Sequence, residues 1–178
     1  MKIEHIIVSE NAFNHADPDT IVQSNISVVN LLREEGVEDD DIPEDAMMSY
    51  YLDYYLSQNN NGGFAQFVWN ANWSQALNVI VKKGLEQIGA EKNLAYFIQQ
   101  TAVVESLPKE ELEAFLEREY FGENPTRDQL KNDSFFELDE NITDLNAKWL
   151  RKHPQLKVLS VDDMYAELEI LVGHPIEK

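Results

Sequence analysis

Apolar residues recur at three- and four-residue intervals along almost the whole chain, and nowhere do they alternate every second position for more than a few residues. An amphipathic helix needs the first spacing and a half-buried strand the second. The pattern therefore predicts an all-α fold of helices joined by short loops, with Leu156–Val161 as a candidate short extended piece.

The breaks between the periodic stretches carry helix punctuation. Asp17 is placed to cap a helix that begins at Pro18, buries Ile21, Val22, Val28, Val29 and Leu32, and stops before Gly36. A second stretch after Pro43 puts Met48, Tyr51, Leu52, Tyr55 and Leu56 on one stripe and runs into Asn59-Asn60-Asn61-Gly62-Gly63. Asparagine and glycine tolerate positive φ, so this run is expected to end one helix and turn the chain sharply into a short aromatic one, Phe64–Asn70. Ser74 then caps a helix carrying Leu77, Ile80, Val81, Leu85 and Ile88 and ending at Gly89. Further helices are expected over 91–107, between Pro108 and Gly122, before Pro154, and after Ser160, where Ser160 and Asp163 resemble a capping box.

With 178 residues, 43% of them hydrophobic, the expectation is a single domain over 1–178 with its own core. No apolar run reaches a membrane span, and the opening MKIEHIIVSE is too short in apolar residues and too early in acid for a signal peptide, so a soluble, cytoplasmic protein is expected. The absence of cysteine excludes a disulfide framework and a thiolate zinc site.

Charge then narrows the function. The chain holds 33 acids against 14 bases, net −19, which repels nucleic acid and anionic membrane and favours cationic partners. The acid is not evenly spread: residues 1–58 carry net −11, 59–104 net +1, 105–145 net −9, and 146–178 net 0. A general solubilising coat would be more uniform. Residues 34–53 hold nine acids and no base, so local repulsion there is uncompensated within the stretch.

Candidate catalytic chemistry is sparse. His5, His15, His153 and His174 lie far apart and form no metal-ligand pair, and they read as surface or loop residues. No nucleophile elbow, phosphate loop or dinucleotide fingerprint is present, and the glycines of NNNGGF lack the lysine and hydroxyl of a phosphate site. Asp53, flanked by tyrosines, is the residue an enzyme would use as a general acid or base. The acids of EDDDIPE suit a hard cation but miss the glycine of an EF-hand. No metal, cofactor or catalytic residue is expected, and the protein is read as a non-enzyme.

The carboxylates themselves are the remaining constellation. Glu110, Glu113 and Glu117 fall at i, i+3 and i+7, one narrow face of a helix whose other side holds Leu112, Phe115 and Leu116. Carboxylates one turn apart lie roughly 5 to 6 Å from each other, and duplex DNA presents a phosphate about every 3.4 Å of axis on each strand. A rigid helical body bearing two acidic blocks can offer a DNA-binding protein the charge pattern it expects. The first block supplies Glu34, Glu35, Glu38, Asp39, Asp40, Asp41, Glu44 and Asp45 as candidates; the second, within Glu105–Asp144, adds Asp128, Asp133, Asp139 and Glu140 to the three glutamates.

The stretch Tyr50–Asn70, YYLDYYLSQNNNGGFAQFVWN, resembles the bacterial DMP-type DNA-mimic family, whose signature is similar to S-Q-x-N-N-G-G-F-x-Q-F with an asparagine soon after. Ser57, Gln58, Asn60, Asn61, Gly62, Gly63, Phe64, Gln66, Phe67 and Asn70 stand at the matching positions, and the strong part of the likeness covers about residues 48–105. The resemblance implies an all-helical homodimer whose surface acids occupy the DNA-binding face of a transcription regulator of the helix-turn-helix kind and keep it off DNA. The NNGGF corner then vouches for the scaffold, and the inhibitory work is expected on the acidic flanks. Two other readings remain at this point: an immunity-type inhibitor of a basic nuclease or toxin, and an enzyme using Asp53 in an aromatic groove beside the corner.

Overall fold

The structure is a computed structural model that describes residues 2–177. Its regular structure is helical apart from two short strands, as the apolar spacing requires. In chain order it runs β1 (Ile6–Ser9), α1 (Glu10–Asn14), α2 (Asp19–Glu34), α3 (Glu44–Asn70), α4 (Gln75–Gln87), α5 (Glu91–Glu105), α6 (Lys109–Glu117), α7 (Pro125–Leu130), α8 (Ile142–Arg151), β2 (Leu156–Leu159) and α9 (Val161–Val172). Single 3-10 segments cover Asp39–Asp41 and Asp133–Glu137. The chain packs as two units, one holding the chain up to Tyr50 and from Thr143 onward, the other Tyr51–Ile142.

In the first unit, β1 pairs in parallel with β2 in the register Ile6 to Leu156 and Ser9 to Leu159. The extended piece expected near Leu156 is present. Its partner was not expected: Ile6-Ile7-Val8 is too short to show a period, and its pairing residue lies 150 positions further on. Ile6, Ile7 and Val8 are fully buried, and α2 lays Ile21, Val22, Val28, Val29 and Leu32 into the same core. Asn25 lies on that stripe too, buried, with its amide donating to the Ala46 carbonyl at 2.9 Å. Asp17 accepts the Asp19 amide at 3.0 Å, so it caps the first turn of α2 as expected, with the helix opening one residue later. Ser160 accepts the Asp163 amide at 3.1 Å and caps α9.

The second unit is built round an aromatic cluster. Tyr55, Phe64, Phe67 and Phe97 are at most 2% exposed and meet edge-on or tilted at ring distances of 5.2 to 6.2 Å, with Tyr96 and Phe135 beside them. The NNNGG run forms the expected bend between two helical stretches, which together make up α3. Gly62 sits at φ −152° and Gly63 at φ 72°, ψ −170°, a combination open in practice only to glycine. Amides close the bend: Gln58 Oε1 accepts both Gln66 Nε2, at 3.1 Å, and Asn70 Nδ2, and Tyr120 donates its hydroxyl to the Gly62 carbonyl at 3.2 Å. Gln58, Gln66 and Asn70 thus hold the kink, and Phe64 and Phe67 fill the core. α6 is shorter than its Pro108–Gly122 bounds, because the chain turns extended at Arg118.

Candidate protein-binding surface

Each unit is acidic by itself. The first carries 18 acids and 7 bases, net −11, and the second 15 and 7, net −8. What matters for a partner is which carboxylates face solvent without a cation of their own.

The first block is compensated only in part, by Arg33 and by two histidines of the same unit. A single 3-10 turn over Asp39–Asp41 fans successive side chains about 120° apart. Asp39 points to Arg33, whose Nε and Nη2 reach its two oxygens at 2.7 and 2.9 Å and hold its carboxyl below the usual range, chiefly through that hydrogen bond. Asp41 is half-buried, with its carbonyl taking the Ile3 amide at 2.8 Å. Glu35 lies 3.5 Å from His174. Asp45 accepts from His153 Nε2 at 3.0 Å, while His153 Nδ1 takes the Gln155 amide and the ring stacks on Trp149. The imidazole is only 8% exposed, so His153, a loop residue, serves as a structural link. Glu34, Glu38 and Asp40 are exposed and meet no cation among the described residues, and Glu44 is exposed beside them in sequence.

The second block is more open. On α6, Glu110, Glu113 and Glu117 are all exposed and Phe115 is buried opposite, which is the orientation the spacing predicts. Lys109 reaches Glu113 at 3.5 Å, but both side chains are mostly exposed and such a pair is weak. Thr126 ties the base of α6 to α7 through Glu111 at 3.3 Å. Of the other candidates, Asp128 pairs with Arg127 at 2.8 Å, Asp139 stands fully exposed 3.7 Å from Lys92, and Asp133 is exposed. Glu140 faces inward: its carboxylate accepts the Lys92 and Asn93 amides at 3.1 and 2.8 Å and the Asn93 side chain at 2.7 Å. It caps the first turn of α5.

Concave chemistry is slight by comparison. Two depressions of about 190 and 250 Å³ adjoin the corner, sharing Gly62 and Lys131 and edged by Phe136 and Phe121 respectively. Asp53 lines neither. No group of three or more histidine or acidic side chains could hold a metal among the described residues, and no described helix is long and apolar enough to cross a membrane.

Fold and surface together define an acidic helical protein whose distinguishing feature is exposed carboxylate on rigid elements. The sequence matches the DMP19-like protein family over residues 40–153, more than half of the chain, and the chain belongs to that family of DNA mimics. No curated protein and no solved structure matches it. The matched stretch includes the kinked α3, α6 and the second acidic block, but of the first block only Asp40, Asp41, Glu44 and Asp45; Glu34, Glu35, Glu38 and Asp39 lie before it, and β1, β2 and α9 lie outside it.

Proposed function

We propose that this protein inhibits a basic DNA-binding protein, a transcription regulator of the helix-turn-helix kind, by occupying the surface that would otherwise hold DNA. The observation that carries the reading is the exposed row Glu110, Glu113 and Glu117 on α6, held outward by the burial of Phe115 in a chain of the DNA-mimic family. Glu34, Glu38 and Asp40 form the second candidate contact, and paired or capping acids such as Asp39, Asp45 and Glu140 support the scaffold. The backbone of α6 that carries the row is helical before the partner arrives, so little backbone ordering opposes binding. A bacterial, cytoplasmic homodimer is part of the proposal and rests on the family.

A lysate pull-down at low and high salt identifies the partner, and competition against its labelled operator tests the mechanism. The combined change Glu110→Gln, Glu113→Gln and Glu117→Gln is expected to weaken displacement far more than any one of them. If the triple variant keeps its helical circular dichroism and displaces the regulator as well as wild type, the reading is wrong. Recovery of a nuclease or toxin instead would favour the immunity-type inhibitor.

A further inference from the structure

β2 carries backbone groups that find no partner among the described residues. The Ile6 amide donates to the Gln155 carbonyl at 3.1 Å, and the parallel register pairs Val8 with Val158. Peptide groups of a parallel ladder face the neighbouring strand at alternate residues. Lys157 and Leu159 therefore turn theirs toward β1, and Leu156 and Val158 turn theirs away. The Leu156 amide is taken by the His153 carbonyl at 3.1 Å. The Leu156 carbonyl and both backbone groups of Val158 meet no partner among the described residues. All four residues of the strand are half-buried, and β1 is its one neighbour in the sheet among the described residues, so β2 is an edge strand.

Proteins usually guard such an edge with charge, lysine above all. Here Lys157 is held at 2.7 Å by Glu167 of α9. The exposed charges flanking the strand are Lys152 before it and, after it, the carboxylates of Asp162 and Asp163. A second copy of the chain would bring a further −19 to the edge, whereas a cationic strand would meet complementary charge.

We propose that the outer edge of β2 accepts an extended cationic segment of the partner protein as a third strand. One partner residue exchanges two backbone bonds with Val158, the Leu156 carbonyl takes a third, and lysine or arginine side chains reach Asp162 and Asp163. Backbone pairing supplies affinity in such strand addition, and the flanking side chains supply selection. The proposal rests on the partner being basic and on nothing else in the proposed function. The edge lies outside residues 40–153, so it is not part of the stretch matched to the family.

Amide exchange at Val158 of the full chain is the test, with an alternating lysine–valine octapeptide as probe and its glutamate–valine counterpart as control. The cationic peptide is expected to slow Val158 exchange by about tenfold or more and leave the already bonded Lys157 and Leu159 amides unchanged. Val158→Pro removes only an outward donor, a position where an edge strand tolerates proline, and is expected to weaken the peptide about fivefold, while Val158→Thr binds as wild type. Unchanged Val158 exchange at saturating cationic peptide overturns the proposal, and needs no variant to fold. So does protection that follows protein concentration without peptide, since the occupant is then a second copy. Neither result touches the operator-displacement assay, whose failure with the α6 variant would in turn leave this edge standing.

Discussion

Glu140 grips the first turn of α5 through Asn93, accepting both its backbone amide, at 2.8 Å, and its side-chain amide, at 2.7 Å. The first amides of a helix lack intrahelical acceptors, and here a carboxylate 47 positions away supplies one. The acid also sits where the helix dipole favours negative charge.

Glu140→Ala should therefore act on stability and not on partner binding. Loss of the cap is expected to cost about 1 to 2 kcal/mol, lowering the melting temperature by roughly 2 to 8 °C for a chain of this size. Calorimetry and operator competition on the same sample separate the two effects. Unchanged melting with weakened displacement would place Glu140 in the contact surface instead.

Gly63 is the second structural test. Its φ of 72° with ψ of −170° is available to glycine but strained for an L side chain, although the nearest atom a Cβ would meet is 3.9 Å away. Gly63→Ala is thus expected to cost about 1 to 3 kcal/mol through backbone strain alone. At Gly62 the cause differs: a Cβ would lie 2.2 Å from Gln66 Oε1 and force that side chain off Gln58. Gly62→Ala paired with Gln66→Ala should recover part of the loss, whereas Gly63→Ala paired with Gln66→Ala should not, as denaturant midpoints will show.

The cluster around the kink also fixes the alkaline limit. Burial pushes the Tyr96 hydroxyl up to about 12, aided by the Asp133 carboxylate, and raises Tyr55 well above its ordinary range. Unfolded tyrosine ionises near about 10, so between about 10 and 12 the folded protein keeps protons that the unfolded chain has released. Their stabilisation is fully present below about pH 10 and falls as pH rises, by about 1.4 kcal/mol per unit for each such tyrosine. Tyrosinate absorbance should rise for these two only with unfolding. Tyr96→Phe should flatten the alkaline decline, and at neutral pH it should cost little, since that hydroxyl is buried with no protein partner. An early, two-step alkaline loss in the variant would contradict this.

What was legible in the sequence depended on how far apart the interacting residues lie. Local periodicity and caps gave α2, α4, α5, α9 and the outward row of α6, because each is decided within a few residues. The bend at Gly62–Gly63 and the short helix beyond it were visible too, but not that Gln58, Gln66 and Asn70 meet across the kink. β1 went unread because Ile6-Ile7-Val8 shows a strand only once Leu156–Leu159 is beside it. The acids divide likewise: sequence counts nine of them without a base over 34–53, and only the fold brings Arg33, His153 and His174 to Asp39, Asp45 and Glu35.

Lys109 offers a gain-of-function test of the surface. Its ammonium stands 3.5 Å from Glu113, the middle carboxylate of the α6 row, with side chains 83% and 59% exposed. A pair this open contributes little to stability, about 0.3 to 0.5 kcal/mol, so Lys109→Ala should fold as wild type. It removes one positive charge from beside the row and leaves Glu113 to the partner. Association with the basic partner should then be faster, about two- to threefold at low ionic strength, with dissociation little changed. Screening over about 8 to 10 Å should erase the gain near physiological salt. Stopped-flow association rates across a salt series measure this directly. A slower or salt-independent rate in the variant would show that the α6 row is not where the partner lands.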